Sequence, residues 1–234
     1  MKKNIQFVFA LVLLLSNYAF AQKTFQGTVT FDVKITGENV NMYAGMMPNK
    51  YIFKLRNSGE MRMRMEGGMM ANMFGDVMVD KTGTVYLVND QKKSAQKVLN
   101  KADQKQKELP DSAVKTIKLN EVITIAGKKC QKYKVEVNNG SKTPEVEWMW
   151  VCEDIQLANN DKKDAFMMPK LGRKGINGFP LKIMTTKEGM TVTMTALSIV
   201  EENLNDAEFK VPENYKVSEF DPSKMMQGYG GGDD

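Results

Sequence analysis

The sequence predicts a mainly β protein (α+β class) that is built on one strongly curved antiparallel sheet. Along most of the chain, apolar and polar residues alternate with a period of two, and short turns separate the alternating stretches. Helical periodicity is weak. Because such strands give the sheet one apolar face, that face must be covered by curling, by a second sheet or by helices. We expect an incomplete β-barrel of about ten or eleven strands with one to three short helices.

The first strand is predicted at residues 28–35, where Val29, Phe31 and Val33 share one face. The stretch MRMRME (61–66) alternates in the same way, with methionine on one face and charge on the other. Short helices are predicted within 37–47 and 161–171. Further strands are predicted at 51–55, 76–80, 84–89, 95–99, 114–119, 122–127, 131–137, 145–151, 180–187 and 190–202.

Residues 1–21 are predicted to be a secretory signal peptide. A basic start precedes an apolar run too short to span a membrane, and the A-x-A pattern predicts cleavage after Ala21. Gln22 follows instead of cysteine, so we expect no lipid anchor, and no later stretch predicts a transmembrane segment. The expected product is exported, to the periplasm or alternatively to the extracellular space. It comprises one domain (22–222) and a flexible glycine-rich tail (223–234).

Two cysteines occur in the chain, and an exported protein with two cysteines favours a disulfide bond. Cys130 and Cys152 are equidistant from Ser141, which lies in a turn between two predicted strands. In a hairpin centred there, the cysteines face each other at a separation that suits a bridge. The alternative is two independent buried thiols.

The same register places two tryptophans opposite two lysines. Trp148 would face Lys134, and Trp150 would face Lys132. Lysine stems that cover the indole rings would protect an outer face, with cation–π support. A carbohydrate-stacking platform is the alternative.

The composition argues against several function classes. The chain has no histidine, which removes the commonest general base and metal ligand. Phosphate-binding, dinucleotide-binding and nucleophile-elbow motifs are missing, and the paired carboxylates sit where solvated charge is expected. The net charge of +5 is too mild and too dispersed to indicate nucleic-acid binding. We expect a non-enzyme that has no cofactor and does not bind nucleic acid.

The 19 methionines are the chain's most unusual feature, and six of them lie within residues 60–76. Three hypotheses compete for them: a Cu(I) site at Met61, Met63 and Met65, an adaptable apolar surface, or plain core packing. Strand alternation favours core packing for the 61–65 residues. The stretch GGMMANMF (67–74) lacks clean periodicity and favours a lid or mouth. The candidate ligand-binding residues are Met61, Met63, Met65, Met69, Met70, Met73, Phe74, Met184 and Met194.

Several motifs resemble the DUF4412 family of exported bacterial proteins. The markers are AGKKCQKY (126–133), VEWMWVCEDI (146–155) and the terminal F-x-V-P-x-x-Y that begins at Phe209. The family is similar in pattern to the LolA/LolB-like superfamily of curved antiparallel barrels plugged by short helices. Members with known roles carry lipids in the hollow, so the resemblance implies a LolA-like fold and a lipid or other apolar small molecule as ligand.

These observations lead to one expectation and two alternatives. We expect an exported, non-catalytic binding protein that holds an apolar ligand against the concave face of its sheet. The alternatives are a Cu(I)-handling protein and a structural or interaction protein of the cell envelope with a filled core.

Overall fold

The structure is a computed structural model, and it describes residues 24–38, 40–98, 113–138, 140, 144–158 and 175–221. The predicted signal peptide, the predicted tail and the helix predicted within 161–171 lie outside the described residues. Within the described part, no helix is long and apolar enough to cross a membrane.

Twelve strands of the described chain form a single sheet in the order β12-β6-β5-β4-β3-β2-β1-β11-β10-β9-β8-β7. This confirms the predicted fold class, with slightly more strands than expected. Two short helices, α1 (Val40–Ala44) and α2 (Gly68–Phe74), and one 3-10 helix (Asp206–Phe209) accompany the sheet. The strands are β1 (Gly27–Gly37), β2 (Lys50–Leu55), β3 (Met61–Glu66), β4 (Asp76–Val79), β5 (Val85–Asn89), β6 (Ser94–Val98), β7 (Val114–Ile125), β8 (Lys128–Val137), β9 (Glu145–Cys152), β10 (Phe179–Lys187), β11 (Met190–Glu201) and β12 (Lys216–Glu219).

The predicted alternation holds along the central strands. In β3, Met61, Met63 and Met65 are buried, while Arg62 and Arg64 lie on the opposite face. Met63 pairs with Phe53 of β2 on one side and with Val77 of β4 on the other, so the apolar residues of neighbouring strands share one face. We call this the inner face, and the opposite one the outer face.

The sheet curls so strongly that its inner face becomes the core. Residues of β7 at one edge come within 8 Å of β11 between Cα atoms, although three strands separate them in the sheet. Inner-face side chains from both ends of the sheet consequently pack into one continuous cluster. At its centre, the ring of Phe31 lies 5.5 Å from that of Phe53 and 6.1 Å from that of Phe179 between centroids. The curl therefore buries the apolar face without a second sheet.

The far edge of the sheet differs from the prediction in the number of its strands but not in the register of its hairpin. The strands predicted at 114–119 and 122–127 are a single strand, β7, with a register shift between Lys118 and Val122. The predicted hairpin register is confirmed, because Lys132 pairs with Trp150 and Lys134 with Trp148.

After β11, the chain runs across the outer face of the sheet. This segment, residues 202–215, is called the strap here. Within the strap, the side chain of Phe209 is buried, and Val211 and Tyr215 pack on a small outer-face cluster of Met78, Val88 and Ala95. The chain then forms β12, which pairs with β6 in parallel, an exception to the antiparallel sheet that the sequence did not predict.

A charge network fastens the strap to the strands below it. Asp76 is only 8% exposed and accepts from two guanidinium groups, Arg62 Nε at 2.7 Å and Arg64 Nη2 at 3.0 Å. Arg62 also donates to Asp90 at 3.1 Å, and the Tyr215 hydroxyl donates to the same carboxylate at 3.0 Å. Arg62 also donates to the Glu208 carbonyl at 3.3 Å, so it holds the strap, while Arg64 shares the Asp76 carboxylate with it.

Candidate functional site

Helix α2 is formed by the second half of the methionine-rich stretch, the half that strand alternation did not explain. Methionine and alanine favour helix, and glycines bound the helix on both sides. Gly67, Gly68 and Gly75 all have positive φ, and Gly75 N–H donates to the Ala71 carbonyl at 3.1 Å to end the helix. Helix α2 is thus a short unit held between two glycine turns.

Helix α2 lies against the turn after α1, which we call its seat, and the contacts between them are mainly between backbone atoms. Met69 N–H donates to the Gly45 carbonyl at 2.9 Å, and Met70 N–H donates to the Met46 carbonyl at 3.0 Å. A Cβ added to Gly68 would collide with the carbonyl oxygen of Met47, so the two segments approach closely because this residue is glycine. The turn after α1 and the start of α2 therefore form one surface.

That surface is apolar and open to solvent. None of the side chains of α2 is buried, although Ala71 and Phe74 pack against the edge of the core. Of the eight large apolar side chains that are exposed in the described part of the chain, four lie here. They are Tyr43 (37% exposed), Met46 (46%), Met69 (42%) and Met73 (39%), and we call them the methionine patch.

The predicted strand residues lie beneath this patch and in the core. Met61, Met63 and Met65 are all almost fully buried on the inner face. Tyr51 is half-buried near them, stacks on Phe53 with 6.2 Å between ring centroids, and has its pKa raised by burial. The burial of the three thioethers favours core packing over a Cu(I) site at these positions.

The two late methionines lie on opposite faces. Met194 is buried and pairs with Val33 and with Ile183, so it belongs to the inner face. Met184 is the next residue along β10 from Ile183 and pairs with Trp148, which places it on the outer face. The prediction that Met184 shares the concave surface is corrected by this register.

Both cysteines are buried and lie at facing ends of the β8–β9 hairpin. Continuing the register one step beyond Gln131–Val151 places Cys130 opposite Cys152. The structure contains them as free thiols, so the disulfide stays a prediction. Burial, with a smaller contribution from Cys152, raises the pKa of the Cys130 thiol to about 12, and burial also raises the pKa of Cys152.

The predicted tryptophan–lysine packing is present on the outer face. Lys132 Nζ lies 5.0 Å from the ring centroid of Trp148 and 4.9 Å from that of Trp150, and Lys182 Nζ lies 4.5 Å from Trp150. Trp150 Nε1 donates to Glu121 at 3.0 Å. Because the lysines cover the indole faces, this surface fits a packing role better than a carbohydrate platform.

The described residues contain no group of three or more histidine, cysteine, aspartate or glutamate side chains that could hold a metal ion. Among the described residues, half of the exposed large apolar side chains lie in the methionine patch, so this patch and the inner-face methionines below it are the candidate site. Sequence reasoning located Met69, Met70, Met73 and Phe74 here but missed Tyr43, which no period-two or helical pattern singles out.

Comparison with solved structures gives similarities at low identity. PNGF-II matches at 14% identity and a TM-score of 0.45, with 86% of this chain covered. This chain spans about a third of PNGF-II, because the match covers 32% of that chain. LprF from Mycobacterium bovis matches at 11% identity and 0.35, with 87% of this chain and 96% of that one covered. A LolA superfamily protein from Nitrosomonas europaea matches at 10% identity and 0.32, with 82% and 91% covered.

With TM-scores below 0.5, these similarities support no conclusion about function. No curated protein sequence matches the chain. The sequence profile of one family, described as a domain of unknown function (DUF4412), matches residues 25–215 and thus most of the chain. The protein therefore belongs to the DUF4412 family.

Proposed function

We propose that this protein is an exported, non-catalytic binding protein that takes a lipid or another apolar molecule at the methionine patch and holds it against the inner face. The observation that carries the proposal is helix α2. It has no buried side chain, it is bounded by glycines with positive φ, and it exposes methionine directly beside an apolar core. A segment of this kind can move at low cost in free energy.

The chemistry of the patch supports an apolar ligand of variable shape. Methionine is flexible and polarizable, so a surface made of it adapts to irregular guests. Met65 on β3 and Tyr51 on β2 lie on the strands directly beneath, so a displaced α2 would uncover further apolar surface. The absence of histidine from the chain agrees with a binding role.

A test begins with the mature chain (22–234) purified from the compartment to which it is exported. Native mass spectrometry should reveal bound lipid, and the delipidated protein should take up a fluorescent fatty acid in a saturable way. A protein that is empty and takes up no fatty acid would contradict the proposal.

Two matched variants locate the site. Met69→Gln with Met73→Gln replaces exposed apolar side chains in the patch, whereas Val122→Gln with Leu197→Gln does so on strands elsewhere. All four positions are exposed, so each pair should change the free energy of unfolding by about 0.5 kcal/mol or less per site. Fatty-acid uptake should weaken several-fold in the first variant alone. Equal weakening in both variants would place the ligand elsewhere.

The second candidate is an interaction protein of the cell envelope with a filled core. The continuous packing of the inner-face cluster, in which Phe31, Phe53 and Met63 are fully buried, favours it. It predicts no lipid in the native mass spectrum and no fatty-acid uptake by any variant. The same experiment therefore separates the two candidates.

A further inference from the structure

A cleft lies on the outer face, across the sheet from the methionine patch. It has a volume of about 300 Å³ and is bounded by the strap, the β4–β5 hairpin and the turn between β2 and β3. Met78 and Phe209 line the cleft and are buried, and the half-buried side chains of Tyr86 and Val211 contribute its accessible apolar surface. The volume is at the lower end of the range for small-molecule sites.

The acidic groups of the cleft are already occupied by neighbours. Asp206 accepts from Arg56 Nη1 at 2.7 Å, and Glu60, which is buried, lies 3.4 Å from the same nitrogen. Asp80 Oδ1 accepts from the backbone N–H groups of its own turn, Thr82 at 2.8 Å and Thr84 at 2.9 Å. These carboxylates are therefore committed to holding the walls of the cleft.

The cationic groups are less completely used. Lys81 and Lys210 line the cleft from opposite sides, one on the β4–β5 hairpin and one on the strap. Both are exposed, and neither makes an ion pair within the part of the chain that the structure describes. An anion between them would be attracted from both walls.

Arg56 provides an independent sign that the cleft is an incomplete polar site. Its guanidinium lies 5.7 Å from the centroid of the Phe209 ring, and its Nη1 makes the contacts described above. Its Nε is buried, and among the described residues it is the one buried side-chain nitrogen or oxygen without a hydrogen-bond partner. Such an unpaired donor costs stability, so the polar groups on this wall of the cleft are less completely satisfied than those elsewhere in the described residues.

We propose that this cleft binds a small amphiphilic carboxylate, with its anionic head between Lys81 and Lys210 and its short apolar body against Tyr86 and Val211. The mixed lining requires both parts of the ligand, because a bare anion would leave Tyr86 and Val211 in contact with water and a neutral apolar molecule would leave the lysines unused. Since the site includes the strap, a bound ligand should also hold the strap in place.

Octanoate and phenylacetate are suitable probes, each compared with its neutral amide by two-dimensional NMR of the full mature chain. We expect saturable shift changes at Tyr86, Phe209 and Val211 with the acids. The affinity for the amides should be weaker by a factor of about ten or more. Higher salt should weaken binding of the acids, because the lysines are exposed.

The charge test uses two variants with the same change in net charge. Lys81→Gln with Lys210→Gln should weaken binding of both acids about tenfold or more. Lys92→Gln with Lys216→Gln removes two exposed lysines that do not line the cleft and should leave the affinity unchanged. All four positions are exposed, so both variants are expected to fold.

The proposal would be overturned by a lack of saturable binding of either acid, by equal binding of the amides, or by equal weakening in both lysine variants. Shift changes confined to α2 would also overturn it, because they would assign the acids to the methionine patch. The proposal does not rest on the lipid-binding function. Uptake of a long fatty acid is tested by the methionine variants, which should leave binding in this cleft unchanged.

Discussion

The two halves of the sheet solve the same problem in different ways. Strands β1–β6, the methionine half, and strands β7–β11, the tryptophan half, each bury an apolar inner face and must protect an outer one. The methionine half covers its outer face with a segment of chain, the strap, which is held by Arg62 through the Glu208 carbonyl, and Asp76 fixes Arg62 in place. The tryptophan half covers its outer face with its own lysine side chains, which stack on Trp148 and Trp150.

The difference shows where each half can accommodate a ligand. A covering segment creates a cleft at its border and can be displaced as a unit, whereas side chains that stack on their own strands are each held to the sheet separately. Both sites proposed above accordingly belong to the methionine half, one under α2 and one under the strap.

The largest expected effect tests the fastening of the strap. Asp76→Ala should lower the free energy of unfolding by about 3–4 kcal/mol, because the largely buried guanidinium of Arg62 and the half-exposed one of Arg64 both lose this carboxylate. Glu121→Ala removes the carboxylate that holds Lys132 and Trp150 in the other half, but Glu121 is exposed and the loss should be much smaller. Urea unfolding measures both, and equal losses would break the comparison between the halves.

A disulfide bond, which we propose for the exported protein, would be the strongest single constraint in the tryptophan half. A Cys130–Cys152 bridge should make the protein lighter by two hydrogens in a non-reducing mass spectrum. Reduction should then cost about 3 kcal/mol of unfolding free energy. The Cys130→Ser, Cys152→Ser double variant should show no response to reductant. A protein that carries both hydrogens after export would show that the pair stays as thiols.

The seat of α2 gives the third prediction. Gly68→Ala combines an unfavourable positive φ with a collision against the Met47 carbonyl, so we expect a loss of about 1–2 kcal/mol and stronger binding of a hydrophobic dye. Gly127→Ala in the β7–β8 turn has a similar φ but nothing within 4 Å of its added Cβ. It should cost about 1 kcal/mol or less and leave dye binding unchanged. Equal dye binding by both variants would mean that α2 does not act as a lid.

The lysine stack gives a smaller effect. Lys132→Met keeps the apolar stem over the indoles but removes the charge, and should cost about 1 kcal/mol of unfolding free energy. Lys129→Met, an exposed change on the same strand, is the control and should be close to neutral. Tryptophan fluorescence during urea unfolding reports on both variants. If Lys132→Met leaves the free energy of unfolding unchanged, the apolar stem alone protects the rings and the charge adds nothing.

The smallest effect is the response to acid. Hydrogen bonds lower the pKa of three glutamates in the tryptophan half: Lys132 and Trp150 act on Glu121, Lys118 and Tyr133 on Glu153, and Lys134 on Glu136. A lowered folded-state pKa gives stability that is present above the ordinary value of 4.5 and is lost as the pH falls through the folded-state value. The urea midpoint should therefore decrease as the pH is lowered through this acid range. It should decrease less steeply in a variant in which all three glutamates are replaced by glutamine. An unchanged slope would mean that these ion pairs contribute nothing measurable.

Local pattern predicted the features that depend on neighbours along the chain. The alternation in MRMRME assigned Met63 to the core and Arg62 to the other face, and the symmetric spacing about Ser141 gave the β8–β9 register. The prediction that Met184 lies on the concave face was wrong. Alternation separates the two faces of one strand, but it does not say which of them continues the inner face of a distant strand. That face depends on the pairing with β9.

The sequence by itself determined that this protein is a single, mostly antiparallel sheet with one apolar face, because side-chain direction in a strand follows from the backbone. Only the tertiary structure decided what covers that sheet. The strap, the parallel strand β12, the burial of β4 on both faces and the seat of α2 on the turn after α1 all join segments far apart in the chain. Such contacts form where curvature brings apolar surfaces together, and a local pattern carries no record of that curvature.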